Sequence, residues 1–258
     1  MADHRFFLEA PLSEAPGPAL LPLSSGDLHH AVSVLRLGAG SVVSVVEPSG
    51  AVWSARIDTA THDGLLATVL EELPAVEPCR VTLFQGVAKG AKVDLVVEKV
   101  TELNVEAIVP VLTERSVVRL SGDKAAERGA RWRRVAQAAA KQSQRASVPL
   151  VSDPVGFDGL LAALSRLDVT LVVWAGAMQT GIGIGEALDE AGAVRGSRVG
   201  IVVGPEGGLT AEEVYRLEAA GARAVSLGDT VLRSETAGVV ATAICAYELG
   251  ALGGRSRG

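Results

Sequence analysis

From Arg80 onward the chain alternates short, continuously apolar runs with segments of helical period. That alternation restricts the fold more than any other feature. Arg80 to Gly86, Ala107 to Leu112, Val169 to Trp174 and Arg198 to Val203 read as strands. Apolar runs of this kind suit strands whose two faces are both covered by helices. Between them, Gly90 to Asn104 puts Val93, Val96, Val97, Val100 and Leu103 on one helical face. Ala130 to Arg145 reads as a long helix and Phe157 to Leu164 as a short one. Thr210 to Ala220 is a helix with Thr210 at its N-cap and Glu213 three residues on, a capping-box pattern. Ala224 to Leu227 is a short strand, and Ser234 to Leu249 is the last helix. Strands alternating with helices predict an α/β domain with a mainly parallel sheet.

The first part of the chain has a different period. Val42 to Val46, Val52 to Ile57 and Leu65 to Leu70 are short β-branched runs separated by turn residues, Glu47-Pro48-Ser49-Gly50 and Asp63-Gly64. Close spacing of such strands suggests a small barrel. Leu28 to Leu35 reads as a short helix starting near Ser24 or Ser25. Leu73-Pro74-Ala75-Val76-Glu77-Pro78 is stiff and non-helical. The expected boundaries are therefore a barrel over 1–74, a linker over 75–79 and an α/β domain over 80–258.

With 48% hydrophobic residues and only 3% aromatics, the chain has material for a core, and that core is aliphatic. Two cysteines, Cys79 and Cys245, are too few for a disulfide framework or a multi-cysteine zinc site and read as reduced core thiols. No run approaches 18 apolar residues, and no signal-type run follows the N-terminus. A cytoplasmic protein without a membrane span is expected.

The formal net charge of −6 argues against a nonspecific nucleic-acid binder. The average conceals a segment, residues 111–150, with nine basic and three acidic side chains. It holds Arg115, Arg119, Lys124, Arg128, Arg131, Arg133, Arg134, Lys141 and Arg145. On the 130–145 helix, Arg131, Arg134, Lys141 and Arg145 form one stripe. No acidic residue lies between Glu127 and Asp153, so the helix offers no i,i+4 partner. An external anion, RNA phosphate, is the expected partner.

Gly204-Pro205-Glu206-Gly207-Gly208 follows a buried strand and precedes a capped helix, the place where open α/β sheets bind ligands. It lacks the Gly-Lys-Ser/Thr of a P-loop and the spacing of a dinucleotide fingerprint. Gly181-Ile182-Gly183-Ile184-Gly185 also lacks that spacing and reads as a flexible surface loop. In Ser226 to Ala237 a strand end leads through a loop into an almost uncharged helix, capped by Ser234 or Thr236 and flanked by Arg233 and Glu235. The four histidines, His4, His29, His30 and His62, have no metal-ligand spacing, so no metal is expected.

These residues resemble the SPOUT-class methyltransferases. Within them the chain is similar to the RsmE family, which methylates N3 of a uridine in small-subunit (16S) ribosomal RNA. The resemblance rests on Arg5-Phe6-Phe7, His30 to Arg36, Lys99 to Val105, Glu114-Arg115-Ser116, Gln142-Ser143 with Arg145, Gly204 to Gly208, and Val231 to Ala237. Where many relatives have Glu-Gln-Ser/Cys-Gly-Arg, this chain has Lys141-Gln142-Ser143-Gln144-Arg145.

The resemblance implies a PUA-like RNA-binding β-barrel, then a trefoil-knotted α/β domain, in a homodimer that uses S-adenosylmethionine. It places the cofactor on three loops. These involve Leu171, Val173 and Ala175; Val203, Gly204, Pro205, Glu206 and Gly207; and Leu227, Gly228, Val231, Leu232, Arg233, Thr236 and Ala237. Arg233 and Glu235 are the expected catalytic pair: a cation to stabilise the uridine anion and a carboxylate to accept a proton or orient Arg233. Arg5, His30, Arg36, Arg115, Arg131, Arg134, Lys141, Gln142 and Arg145 are the expected RNA contacts. The competing readings are another SPOUT methylation (ribose 2′-O or guanine N1), a non-catalytic ribosome-assembly factor, and a nucleotide-dependent oxidoreductase.

Overall fold

The computed structural model describes residues 4–74, 77–118, 120–178 and 181–253. Arg119 of the basic segment and Ala75 and Val76 of the linker lie outside the described residues. Contacts divide the chain into two compact units. One comprises the residues up to Glu77 together with Ala140–Val148; the other comprises Pro78–Ala139 and the chain from Pro149.

In the first unit, β1 (Arg5–Phe7), β2 (Gly17–Leu20), β3 (Val42–Val46), β4 (Val52–Thr61) and β5 (Gly64–Leu73) form one sheet in the order β1-β3-β4-β5-β2. Only the β1–β3 pair is parallel. β5 shows the two-residue period of a half-buried strand: Leu65, Ala67 and Val69 are buried, and Leu66 and Leu70 face outward. Phe6, Val43, Val45, Ala55, Ile57 and Leu65 form the core with Leu21 and Ala31. The expected 28–35 helix is α1 (Ser25–His29) running into a π-helical turn, His30–Val34. Ser24 caps α1 by accepting the Asp27 N–H at 3.1 Å.

Residues 140–148 depart from the expected 80–258 domain, because their side chains and backbone anchor in the first unit. Ala146 packs with Val46 and Val52. Lys141 pairs with Asp27, and the Arg5 guanidinium donates to the Gln144 carbonyl oxygen. The long helix also differs from expectation. It is α3 (Asp123–Gln142), one to two turns longer at its start and shorter at its end. It stops because Gln144 turns to φ +55. There the Arg145 N–H reaches the Ala140 carbonyl at 2.9 Å, a helix-terminating turn of the kind glycine usually makes.

The second unit begins with β6 (Cys79–Gly86), α2 (Lys92–Glu102) and β7 (Val105–Leu112). After α3 come β8 (Leu150–Val151), β9 (Val155–Gly156), α4 (Phe157–Leu164), β10 (Val169–Val173), β11 (Ile182–Gly183) and α5 (Ile184–Glu190). β12 (Val199–Val203), α6 (Ala211–Ala219), β13 (Arg223–Ser226) and α7 (Ser234–Glu248) complete it. The eight strands pair in parallel in the order β11-β13-β10-β12-β6-β7-β8, with β9 also on β7. Every residue of β12 is buried. At about 1.5–3 kcal/mol per fully buried aliphatic side chain, this central strand is a principal source of the domain's stability.

Two expectations are corrected here. Gly181–Gly185 is not a flexible surface loop: it forms β11, with Ile182 opposite Val225, and opens α5, whose Ile184, Ala187 and Leu188 are buried. The cap of α7 is neither Ser234 nor Thr236. It is Arg233, with extended backbone and no side-chain cap. Ser234 is instead engaged below the helix, and Thr236 is exposed.

Candidate active site

The central strands of the sheet end together. Val173 closes β10, Val203 closes β12 and Ser226 closes β13. The loops beyond them, with the first turn of α7, enclose a cavity of about 570 Å³. This lies within the roughly 300–1,000 Å³ range of small-molecule sites. Val173, Ala175, Val203, Gly204, Pro205, Glu206, Gly207, Leu227, Gly228, Val231, Leu232, Arg233 and Ala237 all line it. Two residues expected in the cofactor set do not. Leu171 is fully buried within β10, between Ile201 and Arg223 of its neighbours, and Thr236 faces solvent.

Backbone packing sets the shape of the floor. A Cβ on Gly204 would lie 2.8 Å from the backbone of Gly208 and Leu209, so the loop after β12 folds back on itself only with glycine there. The capping box of α6 is present: Thr210 accepts the Glu213 N–H at 3.1 Å, and Glu213 accepts the Thr210 N–H at 2.9 Å. The other Glu213 oxygen accepts the Glu114 N–H at 2.8 Å. That bond holds the next residue, Arg115, where its guanidinium donates to the Gly207 carbonyl at 3.1 Å.

Charge is concentrated on one side of the cavity. The Lys92 ammonium, at the start of α2, lies 3.1 Å from Glu206 and 3.7 Å from Glu235. Glu206 also accepts the Lys89 backbone N–H at 3.1 Å. Burial pushes the Glu206 carboxyl up, but hydrogen bonds from its own backbone, Lys92 and Lys89 outweigh this and hold it below the usual carboxylate range. Arg233 is exposed at the cavity edge, and no ion pair joins it to Glu235 or Asp229 among the described residues. It is free to meet a ligand.

Lys92, Trp174, Leu209, Thr230 and Ser234 also line the cavity and were missed by sequence reasoning. For Lys92 a signal existed. It opens the helix after β6, another strand of the same sheet, and ligands gather beyond the carboxyl ends of such strands.

Several side chains of the basic segment find tertiary partners that helix spacing cannot reveal. Arg131 pairs with Asp94, donating through Nε at 3.0 Å, and Trp132 donates to the other Asp94 oxygen at 3.0 Å. Arg133 pairs with Asp153 at 2.9 Å. Lys141 pairs with Asp27. Arg145 is only 5% exposed, and burial lowers its pKa to about 10. Of the expected RNA contacts, His30, Arg36, Arg115, Arg134 and Gln142 are exposed, while Arg5 is half-buried, its pKa lowered by that burial. Among the described residues no group of three His, Cys, Asp or Glu side chains is placed to hold a metal.

Comparison with known proteins fits this geometry. Residues 75–246 match an RNA methyltransferase domain, and residues 23–70 match an RNA methyltransferase PUA domain. The chain is 30% identical to the ribosomal RNA small subunit methyltransferase E of Bacillus subtilis over 95% of its length and 96% of that relative. It belongs to the ribosomal RNA small subunit methyltransferase E family. A member from Synechocystis is 31% identical over 87% of this chain and 72% of that one. The crystal structure of the Neisseria gonorrhoeae member, bound to S-adenosyl methionine, superposes with a TM-score of 0.79 at 30% identity, covering 94% of this chain and 96% of that one. A Legionella pneumophila protein solved with bound SAM gives 0.81 at 26% identity, covering 95% and 98%. The PUA match falls within the first unit, and the methyltransferase match takes in most of the second together with residues 140–148 of the first.

Proposed function

We propose that this chain transfers a methyl group from S-adenosylmethionine to N3 of a specific uridine in small-subunit ribosomal RNA. The observation that carries the reading is the cavity beyond β10, β12 and β13, with Arg233 at its edge and not ion-paired within the described structure. Its lining fits the cofactor. Val173, Val203, Leu227 and Leu232 supply aliphatic contacts for a purine ring, and the tightly folded Gly204 loop brings main chain to the cavity wall.

S-adenosylmethionine supplies an electrophilic methyl group when bound. The protein's residues must then position uridine N3 in line and remove its proton, and positioning alone can supply a large part of the rate. Arg233, with donors only, stabilises the anion as N3 is deprotonated. Glu235 is held beside Lys92 in the first turn of α7, where a carboxylate is favoured, and it accepts the proton. Lys92 bridges Glu235 and Glu206, so neither carboxylate stands beside the other uncompensated.

In this reading the exposed Arg115 and Arg134 of the methyltransferase domain contact RNA, and so do Arg36 and His30 of the PUA domain. The second domain carries the trefoil knot expected for the class. The protein works in the cytoplasm as a homodimer without a metal ion. No helix among the described residues is long and apolar enough to cross a membrane.

The test is transfer of labelled methyl from S-adenosylmethionine to small ribosomal subunits lacking the modification, followed by mass-spectrometric mapping. The expected product is a single N3-methyluridine. Label on a ribose oxygen or on guanine N1 would replace the base assignment, and no transfer to either free RNA or subunits would leave only the assembly-factor reading.

A further inference from the structure

Gln85 is the largest polar side chain sealed in the methyltransferase domain, at 1% exposed, next to the last residue of β6. Its backbone faces Val203 of β12 on one side and Pro110 of β7 on the other. Such a position normally takes an aliphatic residue, because a buried amide must find several partners.

The amide group finds two of them. Nε2 donates to the Ser234 Oγ at 2.9 Å and to the Gly86 carbonyl at 3.3 Å. Ser234, 8% exposed, uses its own proton on the Gly204 carbonyl. The acceptors at the two ends fix the direction of the chain. Both Gly204 and Gly86 offer carbonyl oxygens, so the amide nitrogen must face Gly86 and Ser234, and the hydroxyl must pass its proton on to Gly204. The amide oxygen is left facing Gly238 of α7. It is buried, without a hydrogen-bond partner among the described residues. An orphaned acceptor is costly and is kept where the rest of the network compensates.

This relay joins β6, which does not itself line the cavity, to two elements that do: the loop after β12 and the first residue of α7. It ties the Gly204 carbonyl to Ser234, the residue between Arg233 and Glu235. We infer that Gln85 is a positioning residue for the cofactor cavity, acting through Ser234 on the Gly204 peptide. The inference rests on the reading of that cavity as the S-adenosylmethionine site.

The experiment is calorimetric titration of S-adenosylmethionine into the full chain and into Gln85→Met, Ser234→Ala and the double variant, with the ligand-free melting temperature of each. Methionine keeps the length of glutamine and removes both the donor and the orphaned acceptor. The expected result is a Kd weakened about tenfold in either single variant and still only about tenfold, not a hundredfold, in the double, since the two residues act as one unit. Gln85→Met should melt no lower than the parent, and the KM for the cofactor should rise. Single variants that bind within about twofold of the parent overturn the inference. So do losses that multiply in the double variant, or losses that follow the melting temperature. If the parent itself does not bind S-adenosylmethionine, the reading of the cavity falls, and the inference with it. Ser234→Ala deletes one atom, so it decides the question if Gln85→Met fails to fold.

Discussion

Gly86→Ala is the sharpest single perturbation of this site. Gly86 ends β6 against the Gly204–Pro205 peptide that floors the cavity. A Cβ there would lie 2.3 Å from the Pro205 nitrogen and 2.6 Å from the Gly204 carbonyl carbon, against an ordinary contact of 3.4–4 Å. Neither obstacle is a movable side-chain tip, so the two backbones must part by about 1 Å, and overpacking of this kind costs up to about 3 kcal/mol. For a chain of this size, about 2–4 °C is lost per kcal/mol, so the melting temperature should fall by about 6–12 °C. The displaced segment carries Gly204, so cofactor affinity should fall as well. Differential scanning fluorimetry and calorimetric titration read the two effects. Gly38→Ala, where an added Cβ meets nothing within 4 Å, is the control and should melt within about 1 °C of the parent. A Gly86→Ala protein that melts within about 2 °C of the parent and binds S-adenosylmethionine normally would show that the loop after β12 is not set by this contact.

Arg233→Ala should lower kcat by about 10²–10³ while cofactor affinity stays within about threefold, as for loss of a group that meets developing charge; single-turnover methylation of subunits checks it. Gln144→Gly should stabilise the protein by about 0.5–1 kcal/mol, because glycine relieves the positive φ and the Arg5 bond goes to a backbone carbonyl that remains. A thermal melt that falls would refute that account of the helix end. Cys79 and Cys245 are buried, and burial raises the Cys79 thiol pKa to about 11 and that of Cys245 higher still. Both should resist a thiol reagent at neutral pH until the protein is unfolded in denaturant.

What the sequence made legible follows from range. Phe157–Leu164 and the Thr210–Glu213 capping box are local patterns, and both appear in the structure as read. β12 and β10 declare themselves as apolar runs because both their faces are covered. β11 is two residues long and exists only because β13 lies beside it, so glycine spacing suggested a loop instead. The end of α3 was misplaced because the helical period continues through Arg145, while a single positive φ at Gln144 ends the helix. At the site, the glycine loop and the Arg233–Glu235 segment carried enough local signal to be found. Gln85 did not, because its partner Ser234 lies 149 positions away, whereas Lys92 was open to detection from its place at the start of the helix after β6.

The same limit applies to the basic segment. The expected 130–145 helix held no carboxylate for Arg131 or Lys141, yet Asp94 lies 37 residues from Arg131 and Asp27 lies 114 residues from Lys141. The stripe is therefore not expected to act as a row of equivalent phosphate contacts. Arg131 is already satisfied by Asp94, whereas Arg134, on the next turn of α3, is exposed with no ion pair among the described residues. Each cation that neutralises a phosphate contributes about 0.7–0.9 to the slope of log affinity against log salt. Arg134→Gln should thus weaken RNA binding and reduce that slope by close to one contact. Arg131→Gln should leave the slope unchanged and lower the melting temperature slightly, as Asp94 keeps only Trp132. Filter binding of a small-subunit RNA fragment across a range of salt concentrations separates the two. Equal slopes for the two variants would restore the stripe as a continuous RNA-binding surface and make the Asp94 pair a contact that RNA displaces.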